Sequence, residues 1–208
     1  MELFIYIFAA LFSVINPLGT LPIFVGLTQN DTSQERARIS LWAAINTFII
    51  LLIAFFLGKY ILGFFGITLN SLRIAGGLVI TSSGFALLTG SFSKHKGIDK
   101  RVKDDAYQRN DIALTPLAIP MLAGPGSISL LIALREEFQK SIEMVTALTA
   151  VTLVCFIVFL MLKSAPYIVK WLGASGINAV SRIIGFIVIA IGIEYICTAV
   201  IDIIKTTF

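Results

Sequence analysis

Two short stretches of the chain carry residue types and spacing suited to holding a small charged molecule: INPLGT, residues 15–20, and AGPGSI, residues 123–128. In the first, Asn16 is a good helix N-cap and Pro17 suits the first helical position; in the second, Gly124 and Pro125 offer the same arrangement. A helix that starts there presents unpaired backbone N–H groups, and the positive end of its dipole, to an anionic group. The helix that stops just before, around Val14 and Ile15 or Leu122 and Ala123, presents carbonyls that suit a cation or an ammonium. Both poles in one cavity describe a zwitterion. The side chains around them, Asn16, Gly19, Thr20, Gly124, Gly126 and Ser127, are small and mostly neutral, so only a small ligand fits.

The element that positions the first stretch is Leu3 to Leu27, a run without a charged side chain that is long enough to cross a bilayer as a helix. Each proline in it deletes a backbone donor and clashes with the preceding turn. Pro17 and Pro22 leave the carbonyls of Ser13 and Leu18 without helical partners, and Pro116, Pro120 and Pro125 do the same to Ile112, Pro116 and Met121. In hydrocarbon an unpaired backbone group costs several kcal/mol, so a broken helix at membrane depth is buried in protein or faces a water-filled cavity. The competing reading is a pair of kinked helices whose glycines permit close packing.

Composition sets the class. The 208 residues are 57% hydrophobic and 13% charged, with a mean hydropathy of +0.94; ordinary soluble domains have roughly 45–50% and 25%. This is an all-α, polytopic membrane protein with six expected spans: Leu3 to Leu27, Leu41 to Leu62, Ile74 to Phe92, Ile112 to Leu134, Met144 to Leu162 and Ile183 to Ile204. The N-terminal run lacks a basic region and reads as a retained first span rather than a cleaved signal. Cys155 and Cys197 both fall inside spans and read as packing residues, not a disulfide framework.

A net charge of +4 with a pI near 9.2 would suggest a nucleic-acid partner in a soluble protein. Here it fits an excess of Lys and Arg in cytoplasmic loops. With the N-terminus outside, eleven of the 16 basic residues fall on the inner side and five on the outer side. Both termini are therefore expected outside, with the charged loop Ser93 to Asn110, which holds the single histidine His95, in the cytoplasm.

The two broken segments belong to an internal repeat. Pro17 and Pro125 are 108 residues apart, and GITLNSLRIAG, residues 66–76, resembles GINAVSRIIG, residues 176–185, with Arg73 against Arg182 at an offset of 109. Each half holds three spans, an odd number, so the second copy enters the membrane from the opposite side. The expected architecture is two inverted three-helix repeats with discontinuous first and fourth helices: residues 1–92, a charged linker 93–111, and residues 112–208. Inversion brings the restarts of the two broken helices together near the midplane.

Three charges bear on this frame. Glu194 lies about 17 Å along a helix from Ile183, near the middle of a core of about 30 Å, and should not face lipid. It is either a structural pairing group or the site of a coupling ion. Arg73 and Arg182 begin the third and sixth spans, where a snorkelling arginine is ordinary; their matched positions make a gate the alternative. Gly76 with Ser83, and Gly77 with Gly84, form a small-residue face on the third span that permits close packing.

The motifs NPLGTLPIF, PLAIPMLAGPGSIS, GITLNSLRIAGG, VSRIIG and IGIEYI resemble those of MarC-type integral membrane proteins, from about Phe12 to Val200. The charged loop Ser93 to Asn110 has no counterpart in that likeness. The resemblance extends to the SnatA-type members, and it implies a secondary transporter of small neutral amino acids such as glycine and alanine, driven by a proton or sodium gradient. It also implies that Asn16 to Thr20 and Gly124 to Ser127 hold the substrate. Alternating access, with the halves rocking about the central site, is the expected mechanism; a passive channel or an exporter of other small solutes is the alternative. An intramembrane hydrolase is disfavoured, because the serines have no evident base and no metal motif or pair of acids lies within the spans. No cofactor is expected. Membrane lipid is the surrounding partner, and the sequence leaves self-association open.

Overall fold

The computed structural model describes residues 1–91 and 112–207, and every regular element among them is a helix. The expected linker 93–111, with His95, lies outside the described residues. The helices run α1 Glu2–Ile15, α2 Pro17–Leu27, α3 Ser33–Phe64, α4 Leu69–Thr89, α5 Ala113–Leu122, α6 Pro125–Glu137, α7 Ser141–Lys163 and α8 Ala165–Thr207. Within α8, Gly173 (φ 64°, ψ 171°) separates a short arm from a long one. No residue with a Cβ adopts that backbone comfortably.

Five helical spans are long and apolar enough to cross a membrane, with α1 and α2 counted as one, and there are six if α5 and α6, bent by 61°, cross together. The first and fourth expected spans are thus the broken ones. The helices outrun their apolar cores, because caps and not hydropathy set their ends. Thr32 caps α3 nine residues before the apolar run expected from Leu41: its Oγ1 accepts from Glu35 N at 3.3 Å and Glu35 Oε2 accepts from Thr32 N at 2.7 Å. At the far end of α4, Gly90 (φ 76°) lets Ser91 N donate to Ala86 O at 2.8 Å, which stops the helix.

The broken helices occupy the core. Ile7, Leu11 and Ile15 of α1, Leu21 and Phe24 of α2, Leu117 and Met121 of α5, and Leu130 and Leu131 of α6 are all fully buried. The long helices surround them and turn Ile49, Ile53, Phe56, Phe156 and Phe186 outward. In a membrane protein that outer apolar belt is the lipid face, so its exposure carries no penalty.

Neighbour relations are reciprocal between the halves. α1 lies against α7 and α5 against α3; α2 lies against α8 and α6 against α4; α3 pairs with α7, and α4 with α8. The last pair is the closest. A Cβ on Gly77 would sit 2.6 Å from Gly192 O, and one on Gly84 would sit 2.7 Å from Gly185 O. The two helices are therefore antiparallel and touch backbone to backbone at two points, as small residues allow. Gly77 with Gly185, and Gly84 with Gly192, are each 108 residues apart, the offset of the two prolines.

Candidate functional site

Asn16 is the hinge of the first break. It adopts the left-handed region (φ 48°, ψ 65°), where its own N–H closes α1 by donating to Phe12 O at 3.0 Å. Asparagine tolerates that region better than most residues with a Cβ. Its side chain then opens α2: Oδ1 accepts from Gly19 N at 3.3 Å, while Thr20 Oγ1 donates to Asn16 O at 3.3 Å. Pro17 occupies the first helical position. Asn16 is 1% exposed, and its Nδ2 is buried with no hydrogen-bond partner. A buried donor left unpaired costs about 1–3 kcal/mol.

The second break is longer and differently built. Across α5, Thr115 and Ile119 are extended, and Leu117 N bonds Ile112 O at 3.3 Å across five residues. The carbonyl of Ile112, expected to be orphaned by Pro116, is satisfied by that wider turn. Gly124 then turns the chain in an extended conformation, Pro125 starts α6, and no side chain caps the new helix. Ser127 Oγ donates to Leu122 O at 3.1 Å or Gly124 O at 2.9 Å. The Leu122 carbonyl, expected to be free for an ammonium, thus has a local donor within reach.

The two breaks meet. A Cβ on Gly126 would lie 3.5 Å from Val14 Cγ1 and 3.1 Å from Ile80 Cγ1 of α4, so the start of α6 rests against the end of α1. A 140 Å³ cavity borders the first break, lined by Gly19, Pro22, Ile23, Leu87, Gly90, Ile177, Asn178 and Ser181. It is far smaller than the roughly 300–1,000 Å³ of sites for drug-sized ligands, which limits any occupant to a few heavy atoms. Gly124 to Ser127 are not among its lining residues.

The charged residues fall differently from expectation. Arg73 does not snorkel: it is 8% exposed, and its guanidinium pairs with Asp202 Oδ2 at 3.1 Å and Glu137 Oε2 at 3.4 Å. Arg182 is exposed. Glu194, expected to be turned away from lipid, is exposed on α8. Helical phase explains both placements at about 100° per residue. Arg73 is one turn before Gly77 and shares the face that meets α8, whereas Glu194 follows Gly192 by two residues and points away from α4. The acids that pair with Arg73 were missed. Their signal was their location, since Glu137 ends α6 and Asp202 lies near the end of α8, the ends that antiparallel packing brings to the start of α4.

Fold and site together define a multi-pass helical membrane protein with two broken helices apposed in its core. The MarC family of integral membrane proteins matches residues 1–204, and the chain belongs to that family. It is 36% identical over 200 residues to the UPF0056 membrane protein BU267 of Buchnera aphidicola (96% of this chain, 93% of the relative). It is 34% identical over 193 residues to the UPF0056 membrane protein YhcE of Escherichia coli K12 (93% and 89%), and 36% identical over 203 residues to the UPF0056 inner membrane protein MarC of Escherichia coli O1:K1 (92% and 90%). No solved structure matches the chain.

Proposed function

We propose that this protein is a secondary transporter of glycine, alanine and serine in the inner membrane, working by alternating access and performing no covalent chemistry. The observation that carries this reading is the apposition of two helix breaks, one of which holds a buried donor, Asn16 Nδ2, without a partner among the described residues. One acceptor-bearing group satisfies that donor, and the uncapped start of α6 favours the same negative charge. We assign Asn16, Pro17, Gly19 and Thr20 to one wall of the substrate site and Gly124, Pro125, Gly126 and Ser127 to the other.

The reciprocal helix contacts and the shared offset of 108 residues support an inverted repeat, in which each half supplies one broken helix. Six spans put both termini on one side, and the excess of Lys and Arg on the other side makes that side the outside. Glu194 is the group we assign to the coupling ion, proton or sodium: a carboxylate at that depth is costly unless it takes up a cation or a proton.

Purified protein in liposomes, supplied with labelled glycine under an imposed proton gradient, sodium gradient or none, tests this. Saturable accumulation that needs one of the gradients supports the carrier. Flux that neither saturates nor responds to a gradient identifies a passive channel, and no flux of any small neutral amino acid overturns the reading.

A further inference from the structure

The two ends of the repeat are fastened unequally. At the end where α4 begins, Arg73 is buried and holds both Glu137 of α6 and Asp202 of α8. The last turn of α6 is pinned again to α3, through Glu136 Oε2 to Lys59 Nζ at 3.4 Å and through the Arg135 guanidinium, 5.7 Å from the Phe55 ring centroid. Ser129, one step deeper, is buried, donates to Leu72 O at 3.2 Å and fills the space beside Gly76. This end is shut.

At the other end the matching arginine forms no ion pair among the described residues. Arg182, the counterpart of Arg73, is exposed, directly after Ser181. Ser181 and Asn178 line the 140 Å³ cavity that runs from Gly19 at the first break to the exposed cap Gly90. At the offset of 108 residues Glu137 corresponds to Gln29, just after α2, and two residues further on Asp31 keeps a carboxylate oxygen, Oδ2, buried without a hydrogen-bond partner among the described residues. One arginine is held by two acids and its counterpart is exposed, and the cavity that borders the first break lies on the side of the exposed one.

We infer that Arg73, Glu137 and Asp202 form a gate latch, and that opening this end requires both ion pairs to break while the cavity beside Asn178 and Ser181 at the opposite end closes. The inference rests on the carrier reading, and it adds which groups hold which end. The placement suits a latch that must release. Glu137 closes α6, where the helix dipole disfavours an acid, and both acids are nearly half exposed, at 47% and 44% of their side-chain surface. Water therefore stands ready to solvate them when the arginine leaves.

The test reads accessibility and not transport. In a Cys155→Ala, Cys197→Ser background, single reporters Ser129→Cys and Asn178→Cys are treated with a membrane-impermeant maleimide from either side of sealed vesicles. With the latch intact, Asn178→Cys labels and Ser129→Cys is shielded. Neutralising the latch with Glu137→Gln and Asp202→Asn should raise Ser129→Cys labelling at least about tenfold and lower that of Asn178→Cys, as a shift between two exclusive states requires. Arg182→Gln or Asp31→Asn should leave Ser129→Cys shielded. The reversed pair Arg73→Asp with Asp202→Arg should restore shielding, which separates loss of the latch from loss of the fold. Unchanged Ser129→Cys labelling in the neutralised variant overturns the latch. Labelling that rises at both reporters overturns the exclusive pairing. If labelling shifts as expected while liposomes accumulate no amino acid, the gate stands and the substrate reading falls.

Discussion

Replacing Asn16 with glycine separates the two jobs of that residue, because one is backbone and the other is side chain. The hinge at φ 48° is open to glycine without cost, whereas alanine would pay about 1–2 kcal/mol for the same backbone. Losing the cap from Asn16 Oδ1 to Gly19 N costs a few tenths of a kcal/mol when glycine is the replacement. Against this, deleting the unpartnered Nδ2 removes a buried donor worth about 1–3 kcal/mol of penalty in the empty protein. The balance predicts that empty Asn16→Gly is at least as stable as the parent. The ligand, however, loses the donor it was meant to satisfy, and affinity for glycine should fall by the same 1–3 kcal/mol, about 5- to 150-fold. Asn16→Ala should lose affinity equally and stability as well. Thermal unfolding of the purified protein and equilibrium binding of labelled glycine read the two quantities independently. Binding by Asn16→Gly within about twofold of the parent would refute the role of Nδ2. A melting point for it below that of Asn16→Ala would refute the account of the hinge.

The remaining expectations follow from contacts already described. Gly126→Val places two methyl groups between Val14 and Ile80, where even a Cβ meets Ile80 Cγ1 at 3.1 Å; it should cost about 1–3 kcal/mol of stability and block alanine uptake, and a companion Ile80→Ala should restore the melting point. Recovery of normal alanine uptake by Gly126→Val alone would make that stretch a kink only. Gly84→Ala drives a Cβ to within 2.7 Å of Gly185 O and should lower thermal stability by forcing α4 off α8, while Gly63→Ala in α3, with nothing within 4 Å among the described residues, should be neutral or gain about 0.5–1 kcal/mol; equal melting points would contradict the close α4 and α8 contact. Glu194→Gln should abolish gradient-driven accumulation and spare exchange of substrate across the membrane, as measured by counterflow in liposomes, because an acid that carries the coupling ion need not hold the substrate. Full accumulation by that variant would leave Glu194 a structural role.

What the sequence determined by itself is local. Asn16 as a cap, Pro17 and Pro125 as first helical residues, and the apolar length of the spans depend on each residue and its near neighbours, so they are legible one stretch at a time. The small-residue face on α4 was legible for the same reason, although its partner was not. Only tertiary structure decided how α8 is rotated. Contact of Gly185 and Gly192 with α4 turns Glu194 outward and carries Asp202 to Arg73, 129 residues away in the chain. A charge in a span can be recognised from composition, but whether it meets lipid or an arginine depends on helical phase. That phase is set where two backbones touch across a distance in sequence that no local pattern encodes.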